Sequence, residues 1–306
     1  MFLNHLSLQN FRSYIRSEFN FNKGTTVIVG PNTSGKTNLL EAVYLLATGK
    51  SFRAEKDIEL IKFGQELGRV KGQAGEVDLE VVLTPLKRYL VNGVGKRRID
   101  FAGHLTVVLF SPVDLEIIID SPGVRRGFLD DTLSQVDREY RQAFITYTKA
   151  LRQRNALLDQ AREKGVRNER QFSYWDTLLI QAGEVMTKKR EAFIAFINSK
   201  PKDIFDFAVF YDKSAISKDR LLQYKDAELG AGVTLVGPHR DDFSIHLYNS
   251  VGQNTHDVKL YGSRGQQRLV VLQLKLLQLA FMQDKTKERP LLLLDDIFSE
   301  LDEDHI

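Results

Sequence analysis

The chain has 306 residues, 42% of them hydrophobic, and no cysteine, which excludes disulfides and thiol-based catalysis or metal binding. Its length predicts about two domains, and it carries neither a basic-then-apolar leader nor an apolar run near the roughly 18 residues that suggest a membrane helix, so a soluble, cytoplasmic protein without a membrane partner is expected. The net charge is only +3, but residues 138–202 hold 14 Lys and Arg against 7 Asp and Glu, a net of +7 that leaves −4 for the rest.

In chain order, residues 2–8 and 14–21 alternate and read as two strands joined at 10–13. Residues 25–29 are β-branched and mostly apolar, as a buried strand should be. They lead into Gly30-Pro31-Asn32-Thr33-Ser34-Gly35-Lys36-Thr37, which fits the P-loop pattern, and residues 38–46 behind it are helical in pattern. A loop between strand and helix lets the backbone amides of 32–37 wrap a β-phosphate at a helix N-terminus. Gly30 and Gly35 permit the close approach. Lys36 then reaches the β- and γ-phosphates and Thr37 ligates Mg²⁺, so ATP and Mg²⁺ are the expected cofactors.

Further strands are expected at 69–73, 77–83, 88–91 and 105–110, with an Asn-Gly turn at Asn92-Gly93. From 111 to about 230 the pattern is mainly helical. Pro122 follows Ser121 as at a helix start, Arg138–Lys164 is a long amphipathic helix, and 172–199 is a second. This pair reads as an αα-hairpin whose polar faces carry the basic excess. Lys188, Lys189 and Arg190 form its densest cationic run, either a DNA-phosphate surface or a solvated helix face; Arg97, Arg98, Arg125 and Arg126 are the next candidates. Strand character returns at 207–211, 233–236 and 244–248.

The stretch Ser263-Arg264-Gly265-Gln266-Gln267-Arg268 precedes a helix over 266–282. Its hydroxyl and free amides suit an anion, and equally an ordinary N-cap. Leu291–Leu294 reads as a buried strand ending in Asp295-Asp296, a Walker B arrangement. Asp295 would hold Mg²⁺ through water, and Asp296 would orient or deprotonate the attacking water. The expected organisation is an α/β ATPase head with mixed sheets in two parts, 1–110 and 231–306, around an inserted helical lobe, 111–230.

P-loop, Ser-x-Gly-Gln, Walker B and Ser299-Glu300-Leu301-Asp302 occur here in the order of the ABC-type ATPases. Leu8-Gln9-Asn10-Phe11-Arg12-Ser13-Tyr14, Phe110-Ser111-Pro112-Val113-Asp114-Leu115, Arg125-Arg126-Gly127-Phe128-Leu129-Asp130 and Gly237-Pro238-His239-Arg240-Asp241-Asp242 narrow the likeness. Over almost its whole length the chain resembles the RecF family of bacterial recombinational repair ATPases. Chains of that family continue past the position of Ile306, so a C-terminal end with its switch element is expected to be missing.

The resemblance implies a head that binds ATP and dimerises around it. Ser263, Gly265 and Gln266 of the partner subunit would close over the γ-phosphate, with Asp302 at the interface. Arg12 would reach the phosphates, or is a surface arginine. His239 is assigned no catalysis. The implied activity is weak, DNA-stimulated ATP hydrolysis that resets an ATP-dependent homodimer. The implied partners are single- and double-stranded DNA, gapped DNA, RecO and RecR, favouring RecA loading. A transporter ATPase subunit is the alternative; the basic insertion, the Asn-Phe-Arg-Ser-Tyr start and an Asp rather than Glu at 296 argue against it. A small-molecule P-loop kinase would not need Ser-Arg-Gly-Gln-Gln, and a GTPase lacks its Asn-Lys-x-Asp motif.

Overall fold

The computed structural model describes residues 2–165, 167–248 and 255–296. Strand β1 (Leu3–Phe11) turns through Arg12 and Ser13 into β2 (Tyr14–Asn20). Then come α1 (Lys36–Thr48), β3 (Gly68–Ala74), β4 (Val77–Leu83), β5 (Arg88–Val91), β6 (Val94–Lys96), α2 (Arg98–Phe101) and β7 (Val107–Phe110). The chain continues through α3 (Glu116–Ile119), α4 (Pro122–Val136), α5 (Arg138–Lys164), α6 (Glu169–Ser199), β8 (Phe207–Asp212), α7 (Lys218–Gln223) and α8 (Lys225–Ala231). It ends in β9 (Asp242–Tyr248), β10 (Thr255–Asp257), α9 (Val258–Tyr261), α10 (Arg264–Thr286) and β11 (Leu291–Leu294). The fold is mixed α/β and divides into two units, one up to Pro112 and from Gln278 on, the other Val113–Leu277. The second unit therefore takes in residues 231–277 together with the helical stretch. Among the described residues no helix is long and apolar enough to cross a membrane.

The first unit is built on a six-stranded antiparallel sheet in the order β2-β1-β3-β4-β5-β6. Its period-2 pattern is plain in β3, where Val70, Gly72 and Ala74 face inward and Arg69, Lys71 and Gln73 face out. Leu39, Leu45 and Leu46 of α1 join Leu6, Leu8, Val70 and Val81 in one core. Gly72 lets α1 approach, because a Cβ there would lie 2.6 Å from Leu46 Cδ1. A second, parallel pair sets β11 beside β7, Leu291 opposite Val107 and Leu294 opposite Phe110. That strand is less buried than its sequence suggests, since Leu292 and Leu294 are exposed.

Residues 25–29 differ from expectation. They form no strand, and Val27 and Val29 are exposed. β-Branched composition favours extended backbone, but a strand needs a neighbour for its amides, and none pairs here among the described residues.

In the second unit Asp137 caps α5 by accepting the Tyr140 amide, Asn168 caps α6, and Gly165 ends α5 in left-handed backbone, so α5 and α6 form the expected hairpin. Phe128 of α4 meets Phe193 of α6 and Phe243 of β9, with ring centroids 5.8 and 6.4 Å apart. Sheet β10-β9-β8 is antiparallel. Residues 233–236, expected as a strand, are irregular. Their amides bond to side chains instead, Thr234 to Asn155 and Leu235 to Glu228, both at 2.9 Å.

The centre of this unit is charged. Arg190 is 1% exposed, and its guanidinium donates to Asp241 at 2.8 Å, Asp130 at 2.6 Å and the Pro238 carbonyl at 2.7 Å. The hydroxyls of Tyr140 and Tyr211 close the cluster by donating to Asp130 and Asp241. Burial raises the Asp130 carboxyl against the pull of Arg190, and burial with the neighbouring Asp130 holds the Tyr140 hydroxyl protonated, well above its usual range. The cationic run at 188–190 is thus corrected as a surface. Helical rotation places Arg190 with Met186, Phe193 and Ile197 on the buried stripe, while Lys189 is paired with Asp137 and Glu139, each at 2.7 Å. Of the three, only Lys188 is exposed. Arg125, on Asp242 at 2.6 Å, and Arg126, on the Asp241 carbonyl at 2.8 Å, are likewise committed.

Arg190→Ala strands the buried Asp241 and the half-buried Asp130 and should cost about 3–5 kcal/mol, whereas Lys188→Ala should stay within about 0.5 kcal/mol of wild type. Urea unfolding of both variants checks this; equal midpoints would overturn the assignment.

Candidate functional site

A phosphate-binding loop needs three things from its sequence: a tight turn, an amide-lined helix start and an acid brought in from elsewhere. The turn ends on Gly35, the N-cap of α1, with φ +99, a conformation that L side chains rarely adopt. A Cβ there would meet both the Ser13 Oγ and the Tyr14 hydroxyl at 3.0 Å. At Gly30 a Cβ would lie 2.9 Å from Ser34 Oγ. The Ser34 amide donates to the Pro31 carbonyl at 3.3 Å, folding Pro31, Asn32 and Thr33 into the bend. Thr33 has left-handed backbone, φ 69. Lys36 folds back over the loop, its ammonium donating to the carbonyls of Gly30 at 2.8 Å and Pro31 at 3.0 Å.

The acid arrives with β11. Asp295 donates its amide to the Phe110 carbonyl at 2.9 Å, continuing the parallel pairing with β7. Its carboxylate accepts the Thr37 hydroxyl at 3.0 Å. A hydroxyl and a carboxylate are hard oxygen donors of the kind Mg²⁺ takes alongside phosphate oxygens, so this pair fits the expected metal. Asp296 follows with left-handed backbone, φ 51, and is exposed.

Arg12 bonds to α1 one turn beyond Thr37. Its Nε and Nη2 hold both oxygens of Glu41, at 2.8 and 2.7 Å, and Nη1 donates to the Glu59 carbonyl at 2.9 Å. The Glu41 hydrogen bond is the largest influence raising the guanidinium above its ordinary range. Glu41 is fully buried and also accepts the Ser51 hydroxyl at 2.5 Å. Sequence reasoning passed over Glu41. Its signal was an acid inside the apolar run Leu39-Leu40-Glu41-Ala42-Val43.

Ser263, in the second unit, caps α10. Its Oγ accepts the Gln266 amide at 3.2 Å and its own amide donates to Gln266 Oε1 at 2.9 Å, a reciprocal capping box. Among the described residues, a Cβ on Gly265 would meet nothing nearer than Ser263 Oγ at 4.0 Å. The expected interface turn, Ser299 to Asp302, lies outside the described residues.

His239 belongs to the second unit's interior. Its Nε2 faces the Thr234 carbonyl at 3.0 Å, so that nitrogen carries the proton and Nδ1 accepts the Tyr147 hydroxyl at 2.7 Å. Burial first, then Arg240, Arg126 and Arg154, depress its pKa from 6.5 to about 4, against the pull of the Thr234 carbonyl. The folded state thus favours neutral His239, and its contribution to stability is complete above about pH 6.5. As pH falls from there toward 4 that contribution is lost, on the order of 1–2 kcal/mol by pH 5. Unfolding midpoints across pH 7.5 to 5 should show a slope that His239→Gln flattens; identical slopes would contradict it.

The chain matches the family described as RecF/RecN/SMC N terminal domain over residues 2–306. It is 35% identical over 329 residues to the DNA replication and repair protein RecF of Shouchella clausii, covering 99% of this chain and 87% of the relative. It is 37% identical to the protein of the same name from Lachnoclostridium phytofermentans, with the same coverage. Among solved structures it is similar to the recombination mediator protein RecF-ATP of the RecFOR pathway, with TM-score 0.90, 33% identity and coverage of 99% of this chain and 86% of that one. The RecF-ATPrS form matches with TM-score 0.89, 33% identity and coverage of 99% and 87%.

Proposed function

Because the chain belongs to the RecF/RecN/SMC N-terminal domain family, we propose that it is an ATP-switched DNA-binding protein of recombinational repair and replication-gap processing. The observation that carries the reading is the Thr37–Asp295 bond, which joins residues 258 apart in sequence at the start of the P-loop helix. The relatives solved as RecF-ATP and RecF-ATPrS support ATP as the nucleotide. When bound, Mg²⁺-ATP supplies a terminal phosphoryl group that can pass to water.

Toward that nucleotide the amides of Asn32 to Thr37 form the cradle, with Gly30 and Pro31 shaping its entry. Lys36 exchanges the loop carbonyls for the β- and γ-phosphates. Thr37 and Asp295 hold the metal, and Asp296 orients the attacking water. Arg12 stays fixed on Glu41 and offers its remaining N–H groups to a phosphate. Ser263 serves twice: its lone pair caps α10, while its proton and the helix amides address the nucleotide of the partner subunit. The space around Gly265 supports this, because nothing among the described residues demands a glycine there. Two-fold symmetry then makes each site composite. ATP binding assembles the dimer and slow hydrolysis resets it.

DNA is held through phosphate contacts, independent of sequence and sensitive to salt. The RecFOR description of the solved relatives supports RecO and RecR as partners, and we infer RecA loading at gapped DNA as the outcome.

Lys36→Ala should weaken ATP binding about a hundredfold, roughly 2.7 kcal/mol, with unchanged unfolding. Ser263→Arg should bind ATP as a monomer yet fail to dimerise on ATP addition, and Asp296→Asn should retain ATP and prolong the dimer. Calorimetry and sedimentation with and without ATP and gapped DNA read all three. Normal ATP binding by Lys36→Ala would sink the P-loop assignment, and a Ser263→Arg variant that forms ATP-induced dimers, or loses ATP binding as a monomer, would refute the composite site.

A further inference from the structure

Three consecutive residues of the β1–β2 turn bond to three positions of the P-loop–helix junction. The Tyr14 hydroxyl donates to the Gly35 carbonyl at 3.2 Å. Ser13 Oγ accepts Asn38 Nδ2 at 3.0 Å. Arg12 grips Glu41 at 2.8 and 2.7 Å. Gly35, Asn38 and Glu41 are spaced by three, so they share one face of α1 and its cap.

The turn is itself fixed. The Arg12 amide donates to the Leu60 carbonyl at 2.9 Å, the Lys62 amide to the Asn10 carbonyl at 2.9 Å, and Lys62 Nζ to the Ser13 carbonyl at 3.1 Å. The Tyr14 ring packs edge-on against Phe19, with centroids 5.8 Å apart. Burial raises the Tyr14 hydroxyl above its ordinary range, which keeps it protonated and able to donate near neutral pH.

The Gly35 carbonyl is a special acceptor. It already takes the Leu39 amide at 3.0 Å in the first helical bond, so the Tyr14 bond is its second. A carbonyl held at two points fixes its whole peptide plane, because that plane is rigid and trans. The other half of this plane is the Lys36 N–H, which points opposite to the carbonyl and so away from the helix body, at its open N-terminal end.

We propose that Tyr14 is a positioning residue for the P-loop: with Ser13 and Arg12 it clasps the Gly35–Lys36 peptide so that the Lys36 amide is already aimed at the β-phosphate. This rests on the ATP-binding reading above. The clasp accounts for two sequence features at once. Gly35 is needed because a Cβ would strike the Ser13 and Tyr14 oxygens, and the Arg-Ser-Tyr order is needed because the three partners lie in register along α1. It also means that the loop is steadied from the antiparallel sheet, across the turn, while residues 25–29 leading into it make no strand.

The test uses the full chain and compares wild type with Tyr14→Phe, which keeps the ring and its packing on Phe19. Calorimetry with ATP, ADP and AMP separates positioning from general damage, since AMP has no β-phosphate. Tyr14→Phe should bind ATP and ADP about fivefold more weakly, with AMP affinity and thermal unfolding unchanged. Hydrogen exchange of the α1 N-terminal peptide should be faster in the variant before any nucleotide is added. Unchanged ATP affinity, or an equal loss for AMP and ATP, overturns the clasp while leaving ATP binding intact. Wild-type protein that binds no ATP overturns the ATP-binding reading and the clasp with it.

Discussion

Glu41 is a carboxylate with no solvent exposure, set in the middle of the helix that follows the P-loop. A charge in such a place is tolerated only when paired and hydrogen-bonded, and Arg12 with Ser51 meets that condition. The requirement organises the first unit. It draws the β1–β2 turn onto α1, and it binds the loop after α1, because the Arg53 and Ala54 amides both donate to the Ser51 hydroxyl, at 2.8 and 2.7 Å. It also leaves the N-terminal end of α1 facing β11, where Asp295 meets Thr37. An apolar residue at 41 would pack as well, but it would not specify which turn lies against the helix.

The second unit solves a similar problem with the charges reversed. There the central ion is a cation, Arg190, and the carboxylates come to it from α4 and from the Gly-Pro-His-Arg-Asp-Asp segment. Arg154 repeats the arrangement further along the hairpin, between Asp176 at 2.6 Å and Glu228 at 2.7 Å. Lys275 of α10 is paired with Asp114 at 2.6 Å. Basic composition in this region therefore reports interior architecture as much as surface potential.

The P-loop was legible in the sequence because backbone chemistry demands particular residues there: glycine where a Cβ cannot fit, lysine and a hydroxyl at the helix start. The long helices were legible from their 3.6-residue period, and the placement of Asp295 from the apolar strand that it follows. Residues 25–29 and 233–236 were not, because β-branching reports a preference while pairing depends on a distant neighbour. The charge run at 188–190 misled for another reason. Adjacent residues on a helix point about 100° apart, so three cations in a row cannot share a face. The pattern Met186, Arg190, Phe193, Ile197 held the right answer. The Arg12–Glu41 and Tyr14–Gly35 bonds left only a faint trace, since each joins residues that the sequence lists as separate motifs.

The Arg190 cluster also sets an order of events during synthesis. Asp130 precedes Arg190 by 60 residues and Asp241 follows it by 51. At typical translation rates of about 5–20 residues per second, the second acid trails by roughly 3–10 seconds. Through that interval the nascent helical hairpin presents a half-neutralised polar seam where its dry centre will be. Asp241 is the last charged member of the cluster to be made, so the full pairing around Arg190 is available only once the Gly-Pro-His-Arg-Asp-Asp segment has been synthesised.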